Sequence, residues 1–378
     1  MAVTTIQTNN KLVKYTQEIN REYVRGNLFS PYMGTALNSI IRIKNELKAG
    51  GEEMNLPIVT RLTGAGVSTG TLVGNEEQID NYGMRVRLDW ARHAVVTNKA
   101  ESQKDSADIF GVAKPLLADW GKELQRDELI AALMALPSET LPSAGVRVNG
   151  IQYDLATAAQ RNTWNAANSD RILYGNSTAN YNAIHATALA TLDTTNDKAT
   201  ASNLALLKRI AMNASPKIRP FKTADGYEYY VAFAGTNTFR DLKASLETIN
   251  RDARPREQNG VDKNPLFQDG DQIYDGVIIR QVPEISSFVT NVWTTLTTAG
   301  TASARVEPVF LCGQQAAAMC WGQMAKPTFR KEDDYGFVTG AGIEMAYGVA
   351  KIFKKHPSSG SNLKQFGMAT GFFASATD

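Results

Sequence analysis

Two alternating segments bracket a long polar stretch, and any fold for this chain has to accommodate it. Met54, Leu56 and Ile58 alternate with Glu53 and Asn55, and Met84, Val86 and Leu88 alternate with Arg85, Arg87 and Asp89. A period of two predicts strands with one apolar face. Between them, residues 62–83 read LTGAGVSTGTLVGNEEQIDNYG, rich in Gly and Thr and almost without large apolar side chains. Two strands joined this way form an extended hairpin, which is marginally stable in isolation. A polar loop of that length is unusual within a compact domain. The pattern therefore predicts a hairpin completed by something else, in this chain or in a neighbour.

The rest of the chain supplies a core but no regular alternation of strand and helix. Residues 1–38 form a polar arm in which Leu12, Tyr15, Ile19 and Tyr23 recur at helical spacing, too few to be a core. Ile41 and Ile43 alternate with Arg42 and Lys44 ahead of a turn at Ala49-Gly50-Gly51. Residues 105–136 carry the strongest helix signal, through Ile109, Val112, Leu116, Leu117, Trp120, Leu124 and the apolar group at 130–134. Asp105 and Asp108 suit its first turn, and Pro137 stops it. Pro115 requires that the helix either start near Lys114 or kink there. Residues 138–202, rich in Asn, Thr, Ala and Ser, read as loops and short helices. Helices follow at 203–214, 238–250 and 314–323, and strands at 226–235, 306–312, 342–350 and 350–354, before a polar tail. Asp275-Gly276 reads as a turn into a strand at 277–280, and 251–272 as a charged loop. This mixture fits an α+β fold better than a doubly wound sheet.

Composition narrows the function. Lys and Arg number 40 against 38 Asp and Glu, a formal net charge of +2, so bulk charge disfavours tight DNA binding. The start of the chain has no apolar core of signal-peptide length, and no apolar run reaches membrane-spanning length. Cys312 and Cys320 lie in an Ala-rich segment read as helix, where about 1.5 Å per residue would put them roughly 12 Å apart, too far for a disulfide. Two free thiols fit a reducing compartment. His93, His185 and His356 are isolated, with no HExxH, CxxC or P-loop, so neither metal nor cofactor is expected. Gly66-Val67-Ser68-Thr69-Gly70 matches the GxSxG of hydrolase nucleophile elbows. That chemistry needs strand, sharp turn and helix, and TLVGNEEQIDNYG carries no helical apolar stripe. A Gly/Thr loop is the better reading, with a serine hydrolase using Ser68 as the remote alternative.

Several segments together resemble the major capsid proteins of tailed double-stranded-DNA bacteriophages, which share the Hong Kong 97-type (HK-97) fold. Leu62-Thr63-Gly64-Ala65-Gly66-Val67, Gly74-Asn75-Glu76-Glu77 and Arg92-His93-Ala94-Val95 look like the extended loop (E-loop) of that fold. Residues 116–136 look like the spine helix of its peripheral (P) domain. Residues 229–240, the NPLF at 264–267 and Tyr274-Asp275-Gly276-Val277-Ile278-Ile279 look like its axial (A) domain. Asp334-Tyr335-Gly336 and residues 342–353 look like its last P-domain strands. Pro115 and 138–202 depart from the family pattern, and local insertions are expected there.

The resemblance implies an N-terminal arm at 1–48, an E-loop at 49–98 and a P-domain at 99–215 with its spine helix at about 105–136. An A-domain at 216–329 follows, then return strands and a C-terminal tail at 330–378. It implies a structural protein, not an enzyme, that assembles with itself as pentamers and hexamers into an icosahedral shell around phage DNA. An encapsulin-like cargo compartment is the alternative use of the same fold. Implied partners are further copies of the chain, a portal protein, a separate scaffolding protein, a decoration protein as optional reinforcement, and packaged double-stranded DNA contacted nonspecifically. No membrane is implied; the location is the virion capsid, assembled in the bacterial host cytoplasm. The opening at Met1 carries the expectation that no N-terminal scaffold segment is removed. Some capsids of this fold crosslink an E-loop Lys to a neighbour's Asn. No Lys lies between Lys48 and Lys99 here, so a non-covalent shell is expected. Within the loop, Glu76, Glu77 and Asp80 are expected near Arg85, Arg87 and Arg92, as contacts that set register between subunits.

Overall fold

The computed structural model describes residues 26–45, 52–59, 62, 64–79, 81–104, 109–222, 226–252, 272–330, 335, 337–355 and 362–376. The expected arm helix at Leu12 to Tyr23, the NPLF motif, most of the 251–272 loop, Asp80, Asp105, Asp108 and His356 lie outside them.

Two large sheets carry the structure. In the first, Met33–Gly34, Ile41–Asn45, Ala317–Phe329, Val338–Lys351 and Asp89–Asn98 lie side by side, and Val148–Asn149 adds to the end of Val338–Lys351. In the second the order is Gln272–Tyr274, Val277–Gln281, Glu228–Ala234, Val306–Cys312, Met368–Ala374 and Ile172–Tyr174. Parallel and antiparallel pairs mix in both, and helices pack on their faces, so the α+β expectation holds. The sheets cut across the expected segment boundaries. Ala317–Phe329 pairs with Val338–Lys351, and Met368–Ala374 pairs with Val306–Cys312.

Helix Ala113–Met134 resolves the difficulty at Pro115. The proline is the third helical residue, where its missing N–H has no intrahelical acceptor to lose, so the helix starts there rather than kinking. Leu117, Gly121, Leu129, Ile130 and Leu133 form its buried stripe. At Gly121 the stripe thins, letting the helix approach Ile343 and Met345 of the long strand. Helices Ala201–Asn213 and Thr236–Asp252 cover one face of the second sheet, with Leu204, Leu207, Phe239 and Leu242 meeting Tyr230, Ala232, Val277 and Ile279. The other face, including Val231, Phe233 and Phe310, turns toward Ile285, Val289 and Trp293. The Asp275-Gly276 turn is a two-residue hairpin with both residues at positive φ (+47° and +67°), as its sequence predicts.

Two expectations are corrected. Residues 314–323 do not form a helix; Ala317–Phe329 is a strand. Its residues alternate between two layers: Ala317, Met319 and Trp321 face the main core, while Ala318 and Cys320 face the hairpin. Small side chains suit a strand covered on both sides, and their high helix propensity is overridden by that burial. Cys312 and Cys320 are both free and buried. The polar tail is also replaced by structure. Leu363–Gln365 pairs with Phe353–Lys355, and all seven residues of Met368–Ala374 are buried inside the second sheet. Gly-Phe-Phe at 371–373 marks that strand in the sequence, but the small residues around it blur the period.

Two buried charges differ in how they are accommodated. Glu307 is fully buried, and every lone-pair direction has a donor. Arg305 Nε and Asn237 Nδ2 each donate at 2.9 Å to one oxygen. Thr238 Oγ1 donates at 2.9 Å and Ser286 Oγ at 3.1 Å to the other. The carboxylate thus ties the start of helix Thr236–Asp252 to helix Pro283–Asn291. Lys351 is fully enclosed, with Gln365 Oε1 at 3.2 Å, the Trp164 ring and the nearby Cys312 thiol as its company among the described residues, and burial pulls its pKa down to about 7.

Replacing the fully buried Glu307 with Ala takes the acceptor away from Arg305 Nε, Asn237 Nδ2 and Thr238 Oγ1 at once, and a loss of about 3–5 kcal/mol in urea unfolding is expected. Lys351→Met gives the opposite sign. Below pH 7 the folded protein holds an unfavourably buried ammonium, whereas above it the native lysine is neutral and the unfolded one still charged. The variant should therefore gain stability at pH 6 and lose that gain progressively as pH rises from about 7 toward the ordinary lysine value of 10.5; a gain equal at pH 6 and pH 9 would contradict this.

Candidate functional site

The hairpin expected from the sequence is present. Glu53–Val59 pairs antiparallel with Asn81–Arg87, setting Met54 against Val86, Leu56 against Met84 and Ile58 against Tyr82. Exposure alternates strictly along Glu53–Val59, and the inward residues rest on Ala318, Cys320, Ala350, Ile352 and Phe353. The hairpin is therefore a third layer, stacked on a sheet whose other side carries helix Ala113–Met134.

The chain crosses the sheet at one point. Gly348 lies directly beneath Arg87, and a Cβ there would fall on the Arg87 carbonyl oxygen. Buried Asn149 closes the crossing. Arg87 N donates to its Oδ1 at 2.8 Å, and its Nδ2 reaches the carbonyls of Arg87, Arg147 and Val349 at 3.1–3.4 Å. Beyond the crossing, Asp89 accepts the Gly145 amide at 2.6 Å, a bond that holds its carboxyl below the usual range. At the hairpin's flank, Tyr82 donates to Glu139 at 3.0 Å and Lys355 pairs with the same carboxylate at 2.7 Å. The Lys355 bond is the first cause of the lowered Glu139 pKa.

Past this anchored root the loop is uncovered. Every described residue from 62 to 79 is exposed, including Leu62, Leu72, Val73 and Ile79 at 59–78%. The loop is ordered by its own polar groups. Glu77 accepts the Gly64 amide at 2.6 Å, Glu76 the Gly74 amide at 2.7 Å, and Asn75 Nδ2 donates to Thr71 O at 3.1 Å. Ser68 sits in this exposed stretch, with no helix following it before Lys99 among the described residues. The strand–turn–helix setting of a nucleophile elbow is absent there.

The charges grouped from the sequence are not brought together. The hairpin register sets Arg85 opposite Asn55 and Arg87 opposite Glu53. Arg85 pairs with Glu53 at 3.4 Å, and Arg87 donates to Pro142 O at 3.3 Å. Glu76 and Glu77 bind backbone amides within the loop, and Asp80 is outside the described residues. Arg92 belongs to the other sheet, opposite Glu344. Period alone could not show that the chain changes sheets between Arg87 and Asp89. Around Arg92 the sheet's outer strand is exposed, with Trp90 and Val96 at 50–51%. There Arg92, His93, Thr328, Ile343 and Glu344 line an open concavity of about 660 Å³.

A two-sheet α+β body, a long helix beneath the first sheet and an anchored but uncovered hairpin define the Hong Kong 97-type subunit of tailed-phage shells. The chain belongs to the phage capsid protein family, whose sequence model matches residues 3–374. Among solved structures, it is similar to the capsid of cyanophage Pam1, with 35% identity over all of both chains and a TM-score of 0.85. It is also similar to the capsid of Ralstonia phage GP4, at 17% identity over 100% of this chain and 99% of that one, with a TM-score of 0.69. The head of Helicobacter pylori bacteriophage KHP40 matches at 14% identity over 98% and 96%, with a TM-score of 0.64. A search of curated protein sequences finds no match.

Gly348→Ala is expected to force the crossing strands apart and cost about 1–3 kcal/mol. Limited proteolysis should then cut residues 52–87 faster while the two sheets stay protected; cleavage at the native rate would show that the crossing does not hold the hairpin.

Proposed function

We propose that this structural capsid subunit joins its neighbours chiefly through the uncovered loop at 62–79, with the exposed outer part of the first sheet as a second contact. The observation that carries this is the loop itself. It exposes five large aliphatic side chains, Leu62, Val67, Leu72, Val73 and Ile79, while holding a defined shape by hydrogen bonds of its own. A lone chain has nothing to gain from that arrangement, whereas a neighbour that covers Leu62, Leu72, Val73 and Ile79 removes them from water. Glu76, Glu77, Arg85, Arg87, Arg92 and Asp80 then act around this contact rather than by pairing with one another on one chain. Arg92 and Glu344 supply opposite charges on the second surface.

On this reading, pentamers and hexamers of the chain close into the icosahedral shell. The first sheet with its long helix forms the peripheral part of each subunit, and the second sheet forms the axial part. A portal, a separate scaffolding protein and a decoration protein complete the particle, which assembles in the host cytoplasm. The near-balanced charge of +2 supports nonspecific rather than tight contact with packaged DNA. The setting of Ser68 supports a subunit without catalysis, since among the described residues no helix follows it before Lys99 to expose the hydroxyl.

Replacing residues 64–79 with a short Asn-Gly turn tests the proposal. The expected product keeps its thermal midpoint, because these residues bury nothing, but forms no closed shells by electron microscopy. Ser68→Ala should assemble as the parent does. Normal shells from the loop-deleted chain would place assembly elsewhere.

A further inference from the structure

Away from the hairpin, helices Ala158–Ala167 and His185–Ala190 and the short turn Thr294–Leu296 enclose a cleft of about 210 Å³. Ala158, Ile184, Ala186, Leu189 and Ala299 give it apolar walls. For scale, an apolar cavity of about 150 Å³ accepts benzene.

The polar groups at its floor are already committed, and the proton positions follow from the donors. Asn165 Nδ2 donates to the carbonyls of Asn182 and Ala183 at 2.7 and 3.3 Å, which leaves its Oδ1 to accept the Tyr174 hydroxyl at 2.9 Å. With that proton spent, the 2.7 Å contact between Tyr174 and His185 has to be a donation from Nδ1–H. Burial keeps His185 neutral, its pKa pushed down to about 3, so Nε2 accepts the Tyr153 hydroxyl at 2.9 Å. Tyr153 in turn is hydrogen-bonded by Thr295. The line from Thr295 to Asn165 is therefore a closed relay with no proton to spare for a ligand.

Arg161 is the exception. It lines the cleft with its guanidinium carbon 4.7 Å from the centre of the Tyr153 ring. Its Nε is buried without a hydrogen bond, and its contact with the Asp154 carbonyl is long, at 3.5 Å. Among the described residues no carboxylate pairs with it. A planar cation with no carboxylate partner among the described residues, beside apolar walls, matches a planar anion that carries an apolar body.

We propose that this cleft binds a small carboxylate of about benzoate size, its two oxygens on the Arg161 fork and its body against Leu189 and Ile184. The walls disfavour inorganic phosphate, which has no apolar part to bury.

The test is fluorine NMR titration of 4-fluorobenzoate into the purified full-length chain, both unassembled and in closed shells. Saturable binding at one site per chain is expected. Neutral 4-fluorobenzamide and body-less fluoroacetate should each bind at least about tenfold more weakly. Arg161→Met should cost at least about tenfold, and Ala186→Phe, a rim change that fills the cleft, should abolish binding without lowering the thermal midpoint. Three results would overturn the proposal. These are no saturation by roughly 10 mM, equal binding of the amide, or no effect of either substitution. Binding seen in the free chain but lost in shells would assign Arg161 to a neighbouring subunit's carboxylate and overturn it as well.

Discussion

Everything in this subunit is arranged around one steric fact: two strands cross in contact at Gly348 and Arg87. The contact lets the hairpin lie flat on the first sheet, so that the sheet is covered above and below. Strands in that position cannot carry bulky side chains on both faces. Ala317, Ala318 and Cys320 on one strand and Val349 and Ala350 on the next meet that demand, and all are buried. The larger residues are on the covering layers: Met54, Leu56, Met84 and Val86 above, Leu129, Ile130 and Leu133 below. Fully burying each such side chain contributes about 1.5–3 kcal/mol, so the stack is the main source of stability at the root of the extended loop.

The sequence made some of this readable and hid the rest for physical reasons. The hairpin strands were legible because one face of each is solvated, which preserves a period of two. The Asp275-Gly276 turn was legible because it depends on backbone chemistry local to its residues, whereas Pro115 left open whether the long helix starts or kinks there, and the structure starts it at Ala113. Ala317–Phe329 read as helix because a strand buried on both faces loses its alternation, leaving only the helical propensity of Ala and Met. Met368–Ala374 was hidden for the same reason, at the centre of the second sheet. The grouping of loop charges failed differently. Arg85 and Arg92 are close in sequence, but the crossing sends them to different sheets, while Glu76 stays in the loop. The polar cleft at Arg161 left no trace in the sequence at all, since its parts come from segments more than 130 residues apart, as Arg161 and Thr295 show.

The two buried charges show how differently a core can handle polarity. Glu307 is surrounded by donors from three segments and fixes how two helices meet a strand. Such a group is costly to break and contributes specificity of arrangement. Lys351 has one weak acceptor and an aromatic ring, and its lowered proton affinity is the mark of incomplete solvation. The first organises the second sheet; the second is a liability carried at the seam between the strand pair Phe353–Lys355 and Leu363–Gln365 and the main core.

The internal hydrogen bonds of the 64–79 loop also bear on how mistakes are undone. Glu76 and Glu77 hold the loop's backbone without a neighbour, so the loop contact proposed above would forfeit little chain entropy on docking. A contact that needs little ordering can be weak and still form, and a weak contact lets go quickly when the partner is misaligned. Repeated over a closing lattice, that reversibility acts as proofreading: wrongly seated subunits leave before the next ones trap them.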